Sequence, residues 1–276
     1  MNTIKRDALQ QVGLIANHEL LVSFASKRGL FVTAIFILIW FLLLFYPIRF
    51  SAEAMHNPNT GSLVLSFLTV AGLEPLKNWL LAEFAMYWLV ALFLFPTFSL
   101  FIAADQMISE RNRGGLRFLT LRCCRWQIYC GRFLGHIFIQ GILLGITLLI
   151  TYLLLLLNNP QYWLEGLRIM PLIFLNILMA TSPFVGLMSL LSVVMNSVRM
   201  ASLTAILILA FAGLLIGYGA GYLPWLEILN YWIPGIQLVQ MAQATPSIAL
   251  LSLGLPFMQT IGFLFIGYVV FRKQAI

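Results

Sequence analysis

The chain has 276 residues, 61% of them hydrophobic and 9% charged, with a mean hydropathy of +0.96. A soluble domain carries about 25% charged residues, so this composition excludes a water-facing surface and makes the bilayer the main solvent. Long continuous apolar runs exclude a β-barrel, whose segments alternate over about ten residues. The formal net charge of +7 is then informative by its location rather than as a nucleic-acid signal.

In chain order, residues 1–29 carry Lys5, Arg6, Asp7, His18, Glu19, Lys27 and Arg28 with no apolar h-region among them. No cleavable leader is expected, and the first span acts as an uncleaved anchor. Within this stretch, Ile4 to Ser26 reads as an amphipathic helix on the membrane surface, with Leu14, Ile15, Leu21, Val22 and Phe24 set among charges. A solvated tail is the alternative. Residues 30–276 read as a single transmembrane domain, with spans at about 30–48, 79–103, 134–157, 169–195, 201–223 and 251–271. Each is near the ~20 residues that cross a bilayer. The apolar stretch 63–73 is too short to cross and is expected to be interfacial or re-entrant. The segment from Pro224 to Leu250 is broken by Pro224, Pro234, Gly235 and Pro246. It reads as a re-entrant external segment with Trp225, Tyr231 and Trp232 at the headgroup level.

Lys and Arg set the orientation. With both termini inside, thirteen fall on the inner side and only Arg49, Lys77 and Arg168 on the outer. The positive-inside rule therefore places both termini in the cytoplasm. Cys123, Cys124 and Cys130 fall in the same reducing compartment, where isolated thiols are the expected state. The predicted class is an all-α integral membrane protein of six transmembrane helices with an N-terminal interfacial helix and a short cytoplasmic helix between the second and third spans.

Irregularities inside the spans are Pro96, Thr181-Ser182-Pro183, and Gly213, Gly217, Gly219 and Gly221. Proline frees a carbonyl that a neighbour must satisfy. The spacings Gly213–Gly217 and Gly217–Gly221 permit close helix approach, either within the chain or as a seam between two copies.

The loop from Asp105 to Arg132 holds the most specific pattern. It reads as a helical extension of the second span, a break at Gly114-Gly115, an amphipathic helix from Leu116 to about Leu121, and a basic re-entry into the third span. Leu116, Leu119 and Thr120 share a face, with Arg117 directed away. The six arginines between Arg111 and Arg132 exceed what topology needs.

Ser109-Glu110-Arg111-Asn112-Arg113-Gly114-Gly115-Leu116 resembles the Glu-Arg-x-x-Gly-Thr-Leu signature of ABC-2 type transporter permeases. Arg125-Trp126-Gln127-Ile128 and Gly131-Arg132 are similar to the Arg-x-x-Ile…Gly-Lys that follows it, and Asn17-His18-Glu19-Leu20 with Ser26-Lys27-Arg28-Gly29 resembles the family's entry helix. Gly115 stands where the family has Thr, Arg122-Cys123-Cys124 where a proline is common, and Arg132 where Lys is usual. The resemblance implies a permease subunit, an exporter in the cytoplasmic (inner) membrane, whose coupling helix docks on a separate cytosolic ATPase. Docking residues would be Glu110, Arg111, Arg113, Gly114, Gly115, Leu116, Arg117, Leu119, Arg122 and Arg125, with Glu19, Lys27 and Arg28 at the N-terminal interface. The path is implied to lie along the second and fifth spans, beside a second permease, identical or related. Asn176, Thr181, Ser182, Ser189 and Thr204 are polar candidates for its lining, and helix–helix hydrogen bonding explains them equally well.

No cofactor is expected on this chain. It has no Walker motif, so ATP and Mg would belong to the partner, and the chain itself is not expected to be an enzyme. The histidines, His18, His56 and His136, lie outside the middle of any span, and Glu83 is the one carboxylate well inside one. Paired catalytic groups are therefore missing. Ion-coupled carriers place ionisable groups near the midplane, which disfavours a secondary transporter or channel; a structural membrane subunit remains the other alternative. Met170, Met179, Met188, Met195 and Met200 crowd the fourth span and its end, where methionine more often fills packing gaps than binds metal. Partners expected are the ATPase, the second permease and lipid, with no nucleic acid.

Overall fold

The computed structural model describes residues 2–45, 81–219 and 231–274. Helix α1 (Asn2–Ala25) ends at Ser26, whose hydroxyl accepts from the Gly29 amide at 3.0 Å and so caps α2 (Lys27–Leu43). This satisfies one of the unpaired donors at a helix start. The two helices bend by 71° at that break.

Helix α3 (Ala82–Ile102) runs through a 3-10 turn at Ala103–Asp105 into α4 (Ile108–Asn112). Gly114 then takes a left-handed φ of 74°, which a side chain disfavours, and α5 (Gly115–Arg122) follows. Helices α6 (Arg125–Asn158), α7 (Trp163–Val194) and α8 (Val198–Gly219) come next. The final elements are α9 (Ile236–Gln243), α10 (Pro246–Ala249) and α11 (Gly254–Lys273). Among the described residues there are 5 helical segments long and apolar enough to cross a membrane, or 6 where the bent α1–α2 pair is counted as one span.

Two boundaries move. Helix α6 starts at Arg125, not at 134, and α7 at Trp163, not at 169. Hydropathy marks the apolar centre of a span, whereas the helix continues until its backbone ladder is capped. At α6 the cap is Cys124, whose amide donates to the Gln127 side chain at 2.7 Å. The basic stretch before the third span is therefore helix rather than a re-entry loop.

Helix α7 is the centre of the bundle, packed against α3, α6, α8 and α11. Its apolar window is 78% buried, against 17% for α8, so α8 lies at the edge. Lipid is as apolar as these side chains, so van der Waals fit and interhelical bonds hold the spans together. Trp40 and Phe36 of α2 wedge against Tyr87 and Phe95 of α3, with ring centroids 5.4 to 5.8 Å apart. The Tyr87 hydroxyl meets Thr147 of α6 at 2.8 Å. Pro183 inside α7 cannot donate to the Met179 carbonyl, and the Ser182 hydroxyl donates to it instead at 2.8 Å.

The stretch 63–73, Arg49, Lys77, Gly221, Pro224 and Trp225, and the side chain of Arg28, lie outside the described residues.

Candidate functional site

The loop residues converge on one buried cation. Gly131 and Gly135, four apart on α6, let the α1 backbone approach closely: a Cβ at Gly131 would sit 2.9 Å from the Ile15 Cβ, and one at Gly135 2.7 Å from the Glu19 Cβ. Between them Arg132, only 3% exposed, pairs with Glu19 at 3.4 Å and with Glu110. It also donates to the Gln106 carbonyl. One guanidinium thus joins α1, the α3–α4 turn, α4 and α6. Its fork of donors suits this role better than the single ammonium of the usual Lys. Burial pushes the Glu19 carboxyl up from its ordinary range, and the Arg132 guanidinium opposes that shift.

Helix α4 is anchored at both ends. Asp105 accepts from the Ser109 amide at 3.0 Å and hydroxyl at 2.6 Å, an N-terminal capping arrangement. Gln106 reaches the Val185 carbonyl and the Ser189 hydroxyl of α7. Arg111 donates to the carbonyls of Val193 and Met195, and to Asn196 at 3.2 Å, while Asn112 bonds the Asn196 carbonyl. These carbonyls lie at and just beyond the α7 C-terminus, where a cation is favoured, and the Gln274 side chain donates to the Val193 carbonyl as well at 2.9 Å. Arg125 does the same for the end of α11, bonding the carbonyls of Phe271, Arg272 and Gln274 at 2.8 to 3.1 Å. The end of α11, the α4–α5 loop and the α7–α8 turn therefore share one end of the bundle.

The residues read as docking candidates divide into two sets. Glu110, Arg111 and Arg125 are engaged within the chain, and Leu116 is 1% exposed beside Met107, Ile128 and Tyr129. Leu119 and Thr120 are half-buried on the same face. Arg113, Arg117 and Arg122 are exposed, with Gly114 and Gly115 forming the turn between α4 and α5. Sequence reading passed over Phe118 and Leu121, 73% and 83% exposed on the outward face of α5. Their signal was present in the i, i+3 spacing. At the N-terminal interface Lys27 is exposed and Glu19 buried.

The polar candidates of the fourth span are not brought together around an opening. Asn176 donates to the carbonyls of Leu172 and Pro246 at 2.8 and 2.9 Å, tying α7 to the start of α10. Thr181 bonds Ile177, Ser182 meets Thr260 at 2.8 Å, and Ser189 bonds Gln106 and Val185. Bonding to neighbouring segments, the alternative reading, describes Asn176, Ser182 and Ser189, whereas the Thr181 bond stays within α7. Thr204 is half-buried on α8. Gly213 and Gly217 of α8 have nothing within 4 Å of a built Cβ, so their spacing serves no packing among the described residues. Glu83 receives a bond from Asn158 at 3.3 Å. No group of three or more His, Cys, Asp or Glu side chains that could hold a metal occurs among the described residues.

A family model described as "ABC-2 family transporter protein" matches residues 14–275. The chain belongs to the ABC-2 family. No curated protein matches it. As an ABC-2 protein it is a multi-pass membrane component of a transporter, and Glu110 and Arg132, one from each motif that carried the resemblance, meet at the buried junction.

Proposed function

We propose that this ABC-2 protein is the permease subunit of an ATP-driven exporter, with α5 as the coupling helix that docks on a separate cytosolic ATPase. The observation that carries this reading is the contrast across α5. Its inner face is packed at Leu116, while Phe118 and Leu121 stand out in an arginine rim of Arg113, Arg117 and Arg122. Apolar anchors with a charged rim are the usual anatomy of a protein interface. Movement imposed on α5 would pass through α4 to Arg132 and so to α1 and α6, and through Arg111 to the end of α7.

ATP and Mg would be held by the partner chain, which would also carry the hydrolysis. A second permease would cover the open face of α8 around Gly213 and Gly217, with Thr204 near the path. The termini would be cytoplasmic and the membrane the inner one, in keeping with the Lys and Arg asymmetry. The resemblance to ABC-2 type permeases supports the outward direction.

The test is co-purification of the full chain with a candidate cytosolic ATPase. Phe118→Asp with Leu121→Asp should abolish recovery of the ATPase without changing the melting temperature of the permease. Leu9→Asp, at a position 70% exposed on α1, should leave recovery intact. An ATPase retained at wild-type level by the double variant would remove α5 as the docking element, and a native complex without any ATPase would remove the transporter reading itself.

A further inference from the structure

We propose that Ser26 and Gly29 form a hinge on which α2 swings against the fixed pair of α1 and α6, closing the apolar hollow between α2 and α6. The hydrogen-bond ladder changes hands here within one residue. That of α1 ends where the Ser26 amide donates to the Val22 carbonyl at 3.0 Å, and that of α2 begins where the Leu30 amide donates to the Ser26 carbonyl at 2.8 Å. Ser26 itself is extended, at φ −78° and ψ 148°. The 71° bend is therefore set by the torsions of one residue and by one side-chain bond, from the Gly29 amide to the Ser26 hydroxyl. Hinges are of this kind, a few residues at element ends that absorb a change in φ and ψ. Gly29 permits the bend. A Cβ there would lie 1.8 Å from the Ser23 carbonyl oxygen and 2.6 Å from its carbon, backbone atoms that cannot turn aside. The end of α1 and the start of α2 touch at a point where only a hydrogen fits.

The two arms of the hinge are held differently. Helix α1 is clamped to α6 by the close approach at Gly131 and Gly135 and by the Glu19–Arg132 pair. Helix α2 meets α3 through the rings of Phe36 and Trp40, and the Trp40 indole N–H finds no acceptor in the protein. Ring contacts of this kind re-form at a new angle without a hydrogen bond to break. Towards α6 there is space. A hollow of about 480 Å³ separates the two helices, with Ile37, Trp40 and Phe41 on the α2 wall and Ile146, Ile150 and Leu154 on the α6 wall. Over the ~18 Å from Gly29 to Phe41, a swing of about 10° carries that side chain about 3 Å into the hollow. The walls brought together are almost wholly apolar, so closure leaves no charge buried without a partner. The hinge is a property of this chain alone and does not rest on the transport reading.

Electron paramagnetic resonance distances between spin labels test this on the full chain in detergent, in a Cys123→Ser, Cys124→Ser, Cys130→Ser background. One label pair, Phe41→Cys with Leu154→Cys, spans the hollow. The control pair, Asn17→Cys with Phe138→Cys, joins exposed positions of α1 and α6. The hollow pair should give a distance distribution about 3 Å broader than the control, the reach of the swing. Ile146→Trp, at a site 51% exposed on the α6 wall, should remove the short-distance side of that distribution by filling the hollow. Gly29→Ala should move the mean of the hollow pair and leave the control pair in place. A hollow pair as narrow as the control overturns the proposal, as does a mean that Gly29→Ala does not move. Should Gly29→Ala fail to fold, a short-distance side that persists in Ile146→Trp overturns it alone.

Discussion

Replacing Arg132 with alanine should destabilise the chain more than any other single change in the loop region. The guanidinium is 3% exposed and faces Glu19, whose side chain is 11% exposed, at 3.4 Å. Its other carboxylate, Glu110, is 32% exposed and reaches water more readily. Alanine leaves Glu19 buried with its counter-charge gone, and also strands the Gln106 carbonyl. Removing one partner of a buried ion pair costs about 3–5 kcal/mol, with most of it here at Glu19. At roughly 2–4 °C per kcal/mol for a chain of this size, the melting temperature should fall by roughly 6–20 °C. Thermal unfolding in detergent, followed by tryptophan fluorescence, reads this directly. Arg132→Lys should lose less, because one ammonium keeps the charge but cannot span all three acceptors. A double-mutant cycle with Glu19→Gln should be non-additive, since the second change removes the stranded charge. Melting of Arg132→Ala at the wild-type temperature, or strict additivity in the cycle, would refute the assignment of Arg132 as the junction of α1, α4 and α6.

Three further outcomes follow from the same packing. Gly135→Val sets a Cβ 2.7 Å from the Glu19 Cβ and 3.1 Å from the Ala16 carbonyl oxygen, so α1 must shift at about 1–3 kcal/mol. Faster tryptic cleavage at exposed Lys27 is the expected sign, and an unchanged cleavage rate would contradict the close α1–α6 contact. Arg111→Ala removes the bonds to the Val193 and Met195 carbonyls and should cost about 1.5–3 kcal/mol, whereas exposed Arg113→Ala should leave melting unchanged; equal effects would erase the distinction between anchoring and surface arginines. Gly213→Leu and Gly217→Leu meet nothing within 4 Å and favour the helix by up to about 1 kcal/mol. Each should preserve the monomer's melting while abolishing chemical cross-linking of two copies, and a cross-link of normal yield would move the dimer seam away from α8.

Much of the membrane architecture was present in local sequence, because hydropathy and helix periodicity are properties of short windows. The all-helical class, the five or six helices able to span a membrane and the break at Gly114 were legible in this way. The α6 start at Arg125 was not, because a helix extending into the headgroup region loses its hydropathy signal while keeping its hydrogen bonds. Gly131 and Gly135 had a readable spacing, but spacing alone does not say which helix approaches. Arg132, Glu19 and Glu110 lie up to 113 positions apart, and their meeting is a tertiary event. The arginines show the limit most plainly. Their number alone determined the side on which they were expected, since that depends only on the charge near the span ends. Their separate destinations, Arg111 on α7, Arg125 on α11, Arg132 at the buried carboxylates and Arg113, Arg117 and Arg122 in solvent, depend on which carbonyls and carboxylates the folded bundle leaves within reach. Only the tertiary structure could decide that.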